Sequence, residues 1–392
     1  MSPNPVRKNL RDVVLLFLKL GTLGFGGPAA HIAMMEDEVV RRRGWLSRQE
    51  FLDLLAATHL IPGPNSTEMA IHIGHRRAGW AGLVAAGLCF ILPAAFMVGV
   101  IAWAYVRYGS LPQANAVLYG VKPVVLAVVL QALWGFAGSA VKNKTLAIAG
   151  IAGVLLSFYG IDELAILFGG GLAVASVTWL RSHLRQKGGT LHAFHAALLA
   201  AAAPLAAAAV ARAVPFGLMP LFLFFLKVGS VLFGSGYVLL AFLRADLVTH
   251  WHWLNEGQLL DAIAVGQVTP GPVFTTATFI GYLLGGSSGA LVATLGIFLP
   301  AFVFVAVSGP LVTRLRQSAL AGAFLDGVVV TSLSIMAVVT WQLARAALVD
   351  ATALILLAAS AGLLIRYRVN CAWLVLGGAL AGWLVSVAPK LF

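Results

Sequence analysis

The segment IPGPNST at residues 61–67 returns as TPGPVFT at residues 269–275. In both places two prolines flank a glycine inside strongly apolar sequence. Proline lacks an amide N–H group and clashes with the preceding turn, so a helix that reaches either segment must stop there. A new helix can begin after the second proline, with its first amide groups unbonded. The sequence therefore predicts one broken helix, present twice.

The repeat extends well beyond these two segments. FLKLGTLGFGG (17–27) aligns with FLKVGSVLFGS (225–235), and Asp53 aligns with Asp261 at the same spacing. Glycines and prolines further along also match after one deletion. Because both residues constrain the backbone, the chain is predicted to be two copies of one fold. The expected parts are a first copy at 1–180, a linker at 181–215 and a second copy at 216–392.

Composition places the chain in a lipid bilayer. Of its 392 residues, 60% are hydrophobic and 10% are charged, whereas a soluble protein carries about 25% charged residues. The formal charge of +12 lies in short basic clusters between apolar stretches, which is typical of loops at a membrane and not of a nucleic-acid surface. We expect an all-α polytopic membrane protein surrounded by lipid, with no nucleic acid as partner.

The expected topology contains re-entrant hairpins and an inverted second copy. Two hairpins, broken at residues 24–28 and at the first Pro-Gly-Pro, precede the full spans, and the second copy repeats this order. An Ala-rich stretch at 192–213 is long enough for a linker transmembrane helix, which would invert the second copy. Most of the 26 Lys and Arg then lie on one side. Full crossing by residues 10–34 is the alternative. The expected full spans are 80–106, 113–140, 145–160, 162–180, 288–307, 318–344, 351–365 and 371–388.

Two broken helices in a membrane predict a site for a small anion. Free amides and the positive end of a helix dipole attract negative charge, and Lys19 and Lys227 occupy matched places in apolar helices, where a charge indicates function. Simple packing kinks and snorkelling lysines are the alternatives. The expected anion contacts are Lys19, Gly26, Gly27, Pro62, Gly63, Pro64, Asn65, Ser66, Lys227, Gly234, Pro270, Gly271, Pro272 and Thr275.

Several ionisable residues are candidates for coupling transport to protons, because a carboxylate in a poorly solvated cavity can carry a proton. Glu68, His59 and His72 occur only in the first copy. Lys122 and Asp326 are expected to pair across the pseudo-twofold axis, as a static ion pair or as a proton-linked switch. Residues 36–43, three acids followed by arginines, are expected to be solvated and self-paired. The coupling candidates are Asp53, Glu68, Asp261, Lys122 and Asp326.

Signatures of catalysis are not found in the sequence. It contains no nucleotide-binding P-loop, HExxH helix or GxSxG elbow. Cys89 and Cys371 lie far apart in apolar stretches, so neither a disulfide nor a metal site is indicated. We therefore expect no enzyme activity, no metal and no cofactor.

FLKLGTLGFGGPAAHI (17–32), RRRGWLSRQEFLD (41–53) and IPGPNSTEMAIHIG (61–74) resemble the chromate ion transporter family in its long, two-domain form. FLKVGSVLFGSG (225–236) and WLNEGQLLDAIAVGQVTPGP (253–272) carry the resemblance into the second copy. It implies a secondary transporter that exports chromate across the bacterial cytoplasmic (inner) membrane and confers chromate resistance. Sulfate is the expected competitor or counter-substrate, an anion channel is the alternative, and a homodimer is left open.

Overall fold

The computed structural model describes residues 5–109, 111–187, 214–233, 238–367 and 369–387, and within these ranges every regular element is a helix. The all-α prediction is therefore confirmed. The predicted linker helix at 192–213 and the predicted anion contact Gly234 lie outside the described residues.

The two copies contain the same series of helices. The first copy consists of α1 Pro5–Leu23, α2 Gly27–Glu36 with a π-helical extension Asp37–Arg42, α3 Arg48–Thr58, α4 Asn65–Tyr108, α5 Pro112–Ala140, α6 Lys144–Phe158 and α7 Glu163–Lys187. The second copy consists of α8 Leu218–Val231, α9 Leu239–Phe242 with a π-helical extension Leu243–His250, α10 Glu256–Val268, a 3₁₀ turn Val273–Thr275, α11 Thr276–Gln317, α12 Ala319–Ala347, α13 Ala351–Tyr367 and α14 Cys371–Val387.

Helix α4 and helix α11 each consist of two antiparallel segments joined by a tight glycine turn. Gly79 has φ 60° and ψ −149°, and Gly286 has φ 61° and ψ −150°, a conformation that L side chains rarely adopt. After the turn the chain folds back on itself. The two segments pack so closely that a Cβ atom at Gly74 would meet the carbonyl oxygen of Gly82 at 2.3 Å. Gly281 makes the matching contact in the second copy. The long spans thus begin near residues 80 and 288, as predicted.

Among the described residues, five helices are long and apolar enough to cross a membrane, judged by length and composition: α4, α5, α7, α11 (with the preceding 3₁₀ turn) and α12. Helix α3 has 11 residues and is therefore about 16 Å long, against a hydrocarbon core of about 30 Å. It cannot span by itself. The short helix before the first Pro-Gly-Pro segment therefore suits the predicted hairpin.

The copies interlock through matched glycine contacts. A Cβ atom at Gly120 in α5 would lie 2.0 Å from the carbonyl oxygen of Gly378 in α14. A Cβ atom at the aligned Gly327 in α12 would lie 2.6 Å from the carbonyl oxygen of Gly170 in α7. Each copy thus packs its second long helix against the last helix of the other copy. The internal repeat is present in three dimensions and not only in sequence.

The predicted pair between Lys122 and Asp326 is wrong. Asp326 binds Lys142 with an N–O distance of 2.7 Å, and Lys122 lies 3.4 Å from Asp261. The reason lies in the helix packing: α12 runs along α6 and α7, so Asp326 meets the loop that carries Lys142. Lys122 instead faces α10.

Candidate functional site

The two Pro-Gly-Pro segments bring two helix starts to one place. A small pocket has room for about one water molecule. Six of its lining residues belong to the two helix starts, three from each copy, and the seventh is Pro28 of α2. The lining residues are Pro28, Pro64, Asn65, Ser66, Pro272, Val273 and Phe274.

Main-chain bonding at the helix starts leaves specific amides for a ligand. The amide groups of Thr67 and Glu68 donate to the Pro64 carbonyl at 2.8 and 3.0 Å, and the Thr275 amide donates to the Pro272 carbonyl at 3.0 Å. The prolines have no amide to offer. The amides of residues 65–66 and 273–274 have no main-chain acceptor in the part of the chain that the structure describes, and these residues line the pocket.

The broken hairpins of the two copies are joined by reciprocal main-chain hydrogen bonds. The Gly63 amide donates to the Leu232 carbonyl at 2.8 Å, and the Gly271 amide donates to the Gly24 carbonyl at 2.9 Å. Gly63 has φ 137° and Gly271 has φ 89°, values that favour glycine. Each Pro-Gly-Pro turn is thus held against the helix break of the other copy.

Both predicted substrate lysines are engaged by acids of their own hairpin. Lys19 binds Glu38 at 2.7 Å, and Lys227 binds Asp246. The acids match across the copies at the same spacing as the lysines, a signal in the sequence that could have revealed both pairs. A contact between either lysine and substrate stays a prediction, and it would require the ion pair to open.

Glu38 is not solvated, so the prediction for residues 36–43 is wrong at this position. Its side chain is buried because it faces α1, where it accepts from Lys19, and it also accepts from Arg43 Nε at 3.1 Å. The hydrogen bond from Lys19 holds the pKa of the Glu38 carboxyl below its usual range. Asp37 does pair within the segment, with Arg42 at 2.7 Å.

The other predicted contacts divide between the pocket and its surroundings. Gly26, with φ 107°, precedes α2, and Gly27 begins it. Gly26 borders a larger, mainly apolar pocket beside Gln131. Pro62 and Pro270 lie in the turns themselves. Thr275 is fully buried and donates its hydroxyl to the Pro272 carbonyl at 2.8 Å, so that hydroxyl is directed to its own turn.

Glu68 is the most deeply buried acid near the helix starts. It is 0% exposed, and neither carboxylate oxygen has a hydrogen-bond partner among the described residues. A Cβ atom at Gly63 would lie 2.2 Å from Glu68 Oε1, so the carboxyl group rests against the Pro-Gly-Pro turn. Asp53 lies on α3 and accepts from Gln49 Nε2 at 3.3 Å.

The buried Asp261 takes part in a polar cluster, with two partly buried partners, that joins the two copies. The Tyr105 hydroxyl donates to Asp261 Oδ2 at 2.8 Å, and Lys122 Nζ lies 3.4 Å from Asp261 Oδ1. Sequence reasoning missed Tyr105, because its partner is 156 residues away and the contact depends on how α4 crosses α10. Within the described part of the chain, no group of three or more His, Cys, Asp or Glu could hold a metal ion.

Known proteins match the chain along most of its length. A family model described as chromate transporter matches residues 11–175 and again residues 219–383. A chromate transport protein of Cupriavidus metallidurans is 34% identical over 95% of this chain and 92% of its own length. One of Pseudomonas aeruginosa is 34% identical over 94% and 91%, and a probable chromate transport protein of Synechococcus elongatus is 32% identical over 87% and 86%. No solved structure matches.

Proposed function

The chain belongs to the chromate transporter family, and from that premise we propose that it is a secondary transporter that exports chromate across the bacterial inner membrane and confers chromate resistance. It is a multi-pass membrane protein of a family of transport proteins. The single observation that carries the proposal is the meeting of two helix starts, with free amides, in one pocket between the copies.

The helix starts suit a tetrahedral dianion. Each helix terminus contributes roughly half a positive charge, so two termini offer about +1 together with amide groups that donate to oxygen. Asn65 and Ser66 add polar side chains on one side, whereas Val273 and Phe274 present an apolar surface on the other. Sulfate has the same charge and shape as chromate, so we propose it as the competing anion or counter-substrate.

The pocket in this structure is too small for an oxyanion. Binding therefore requires the two copies to separate at the helix starts, as in alternating access between repeats.

We propose that the second copy is inverted, so that the helix starts meet from opposite faces. The support is the loop at residues 41–48, which carries four arginines, whereas its counterpart at 249–256 carries no Lys or Arg. The closed pocket favours a transporter over an anion channel.

The proposal is tested by deleting single amides. Pro64 and Pro272 are extended, with ψ 94° and 129°, so a proline can follow each without displacing it, and proline is favoured at the first helical position. Asn65→Pro and Val273→Pro thus remove one ligand amide each, while Asn65→Ala and Val273→Ala keep the amides as matched controls.

Everted membrane vesicles supply the measurement. We expect wild type and the alanine variants to accumulate radiolabelled chromate, and each proline variant to lose about tenfold or more, since a charge-assisted hydrogen bond contributes ~1.5–3 kcal/mol. Full activity in the double proline variant would refute the anion site. Accumulation only in right-side-out vesicles would refute export.

A further inference from the structure

Glu68 begins a row of ionisable side chains that only the first copy carries. His72 follows four residues later and His75 three residues after that, so all three lie on one face of the segment 65–77. In the second copy the aligned residues are Thr276, Phe279 and Tyr282. The backbone of the two copies is nearly the same at the Gly79 and Gly286 turns. The difference between the copies is therefore one of chemistry.

The row runs from the Pro-Gly-Pro turn toward the glycine turn. Glu68 is 0% exposed and unpartnered, and its carboxyl group lies against Gly63. His72 is 8% exposed, and its Nε2 atom has no hydrogen-bond partner among the described residues. His75 is half-buried and packs its ring 5.1 Å from that of Trp80, just past the turn. Burial thus decreases step by step along the row.

Ionisable groups on the neighbouring helices are engaged elsewhere. On α1, Lys19 binds Glu38 and Asp12 lies 3.8 Å from Arg77; on α2, the buried His31 meets the Gly24 carbonyl. Three further groups lie on the remaining elements around the segment. Asp53 is hydrogen-bonded to Gln49, His59 to Asn65 and Asp261 to Tyr105. Helix α11 presents Ala301 beside Gly63 and Phe302 beside Gly87. None of these groups makes a hydrogen bond to the Glu68 carboxyl oxygens.

Resting on the proposed function, we propose that Glu68 is the proton-binding site of the transporter and that His72 and His75 pass the proton between Glu68 and the surface at the Gly79 turn. An ionised carboxylate without a partner is costly in a buried apolar setting. An oxyanion at the amides of residues 65–66 would repel that charge further, since Glu68 lies on the same helical turn. Anion and proton therefore bind together, and each raises the affinity for the other.

The proton balance of the cycle is simple. A proton from water reaches His75, passes to His72 and then to a Glu68 oxygen; when the anion leaves, the same carboxyl group releases the proton. One dianion moving with one proton carries a net charge of minus one. An inside-negative membrane potential still favours export of that charge.

Proton uptake on chromate binding is the direct test. The purified protein is held in detergent at alkaline pH, where chromate is a dianion and takes up no proton itself, with a weak buffer and a pH-indicator dye. Wild type is expected to take up protons as chromate binds. Glu68→Gln is expected to bind chromate without that uptake, because glutamine mimics the protonated acid. Glu163→Gln, the same change at an acid outside the row, is the matched control and keeps the uptake.

Failure of this inference is distinguishable from failure of the proposed function. Absence of chromate binding by wild type would overturn the proposed function. Binding without proton uptake in wild type, or unchanged uptake in Glu68→Gln, would overturn the inference alone. The wild-type measurement stands even if Glu68→Gln does not fold.

The histidines are tested separately in proteoliposomes, with the residues of the second copy as replacements. His72→Phe combined with His75→Tyr is expected to slow chromate movement driven by a pH gradient by about tenfold or more, because positioned proton-transfer groups contribute roughly a hundredfold or more to rates. Proton uptake at equilibrium in detergent should remain, because Glu68 remains. An unchanged rate would remove the histidines from the route.

Discussion

Gly63 combines three roles at one Cα atom. Its φ of 137° turns the chain between two prolines, its amide donates to Leu232, and its lack of a side chain leaves space for the Glu68 carboxyl group. A larger residue would both strain the backbone and displace the acid. At the scale of single residues, transport is therefore expected to depend on Gly63 having no side chain.

We therefore expect Gly63→Ala to lower stability by about 1–3 kcal/mol and to lower transport. Gly271→Ala should also lower stability, because its added Cβ would lie 2.5 Å from the Ala94 Cβ atom. Gly99→Ala, in α4 with nothing within 4 Å of the added atom, is the control. Melting temperature in detergent and vesicle uptake provide the two readouts. Equal melting temperatures for the variants at 63 and 99 would contradict the expectation.

The lysine pairs allow a test between two roles. If Lys19 serves to hold its hairpin, Lys19→Met should destabilise the protein by ~1 kcal/mol, because Glu38 loses a donor, and Lys19→Met with Glu38→Gln should recover both stability and transport. If Lys19 also binds substrate, the double variant should recover stability alone. Unfolding in denaturant and vesicle uptake separate the two results.

At the scale of helices, small residues set the spacing between the copies. Gly120 brings α5 against α14 so closely that a Cβ atom would lie 2.0 Å from a carbonyl oxygen. The same device recurs where α12 meets α7. Overpacking a tight contact costs about 1–3 kcal/mol, and here it would also push one copy away from the other.

Gly120→Val is accordingly expected to destabilise the protein by about 2 kcal/mol or more and to reduce transport. Gly138→Val, in the same helix but at an exposed position with nothing within 4 Å, is the matched control. Thermal unfolding of both variants checks this. A larger loss of thermal stability in Gly138→Val than in Gly120→Val would show that the contact between α5 and α14 does not determine the stability.

The sequence alone predicted helix breaks well and side-chain partners poorly. Proline and glycine act on the backbone locally, so the breaks at 24–28 and 62–64 and the span starts near 80 and 288 were readily identified. Partners such as Tyr105 and Asp261, or Lys142 and Asp326, are separated by 156 and 184 residues. Their pairing depends on the crossing of helices, which local pattern does not specify. The pairing of Lys122 was mispredicted for that reason.

At the scale of the whole molecule, the two copies are related by reciprocal contacts. Two close backbone contacts between the copies have counterparts: Gly63 with Leu232 matches Gly271 with Gly24, and Gly120 with Gly378 matches Gly327 with Gly170. The coupling candidates break this symmetry, because Glu68 and Lys122 have no ionisable counterpart in the second copy. The backbone is thus symmetric and the charge is not.

Inversion predicts that equivalent loops face opposite sides of the membrane. In a background with Cys89 and Cys371 replaced by alanine, Arg48→Cys and His252→Cys place single thiols in the two equivalent, exposed loops. We expect a membrane-impermeant maleimide to label one in intact spheroplasts and the other only in everted vesicles. Labelling of both from the same side would mean that the copies run parallel.

The bonds between the Pro-Gly-Pro turns and the opposite helix breaks use only main-chain atoms. At Gly24 a Cβ atom would lie 2.5 Å from the Leu20 carbonyl oxygen, so that position favours glycine. At Leu232 a substitution leaves the accepting carbonyl in place, and the contact survives a change of side chain there. After duplication, the two copies were therefore free to diverge in sequence while the contact between them persisted. One could acquire an acid and histidines, and the other Thr276 and Phe279, without a change in how they meet.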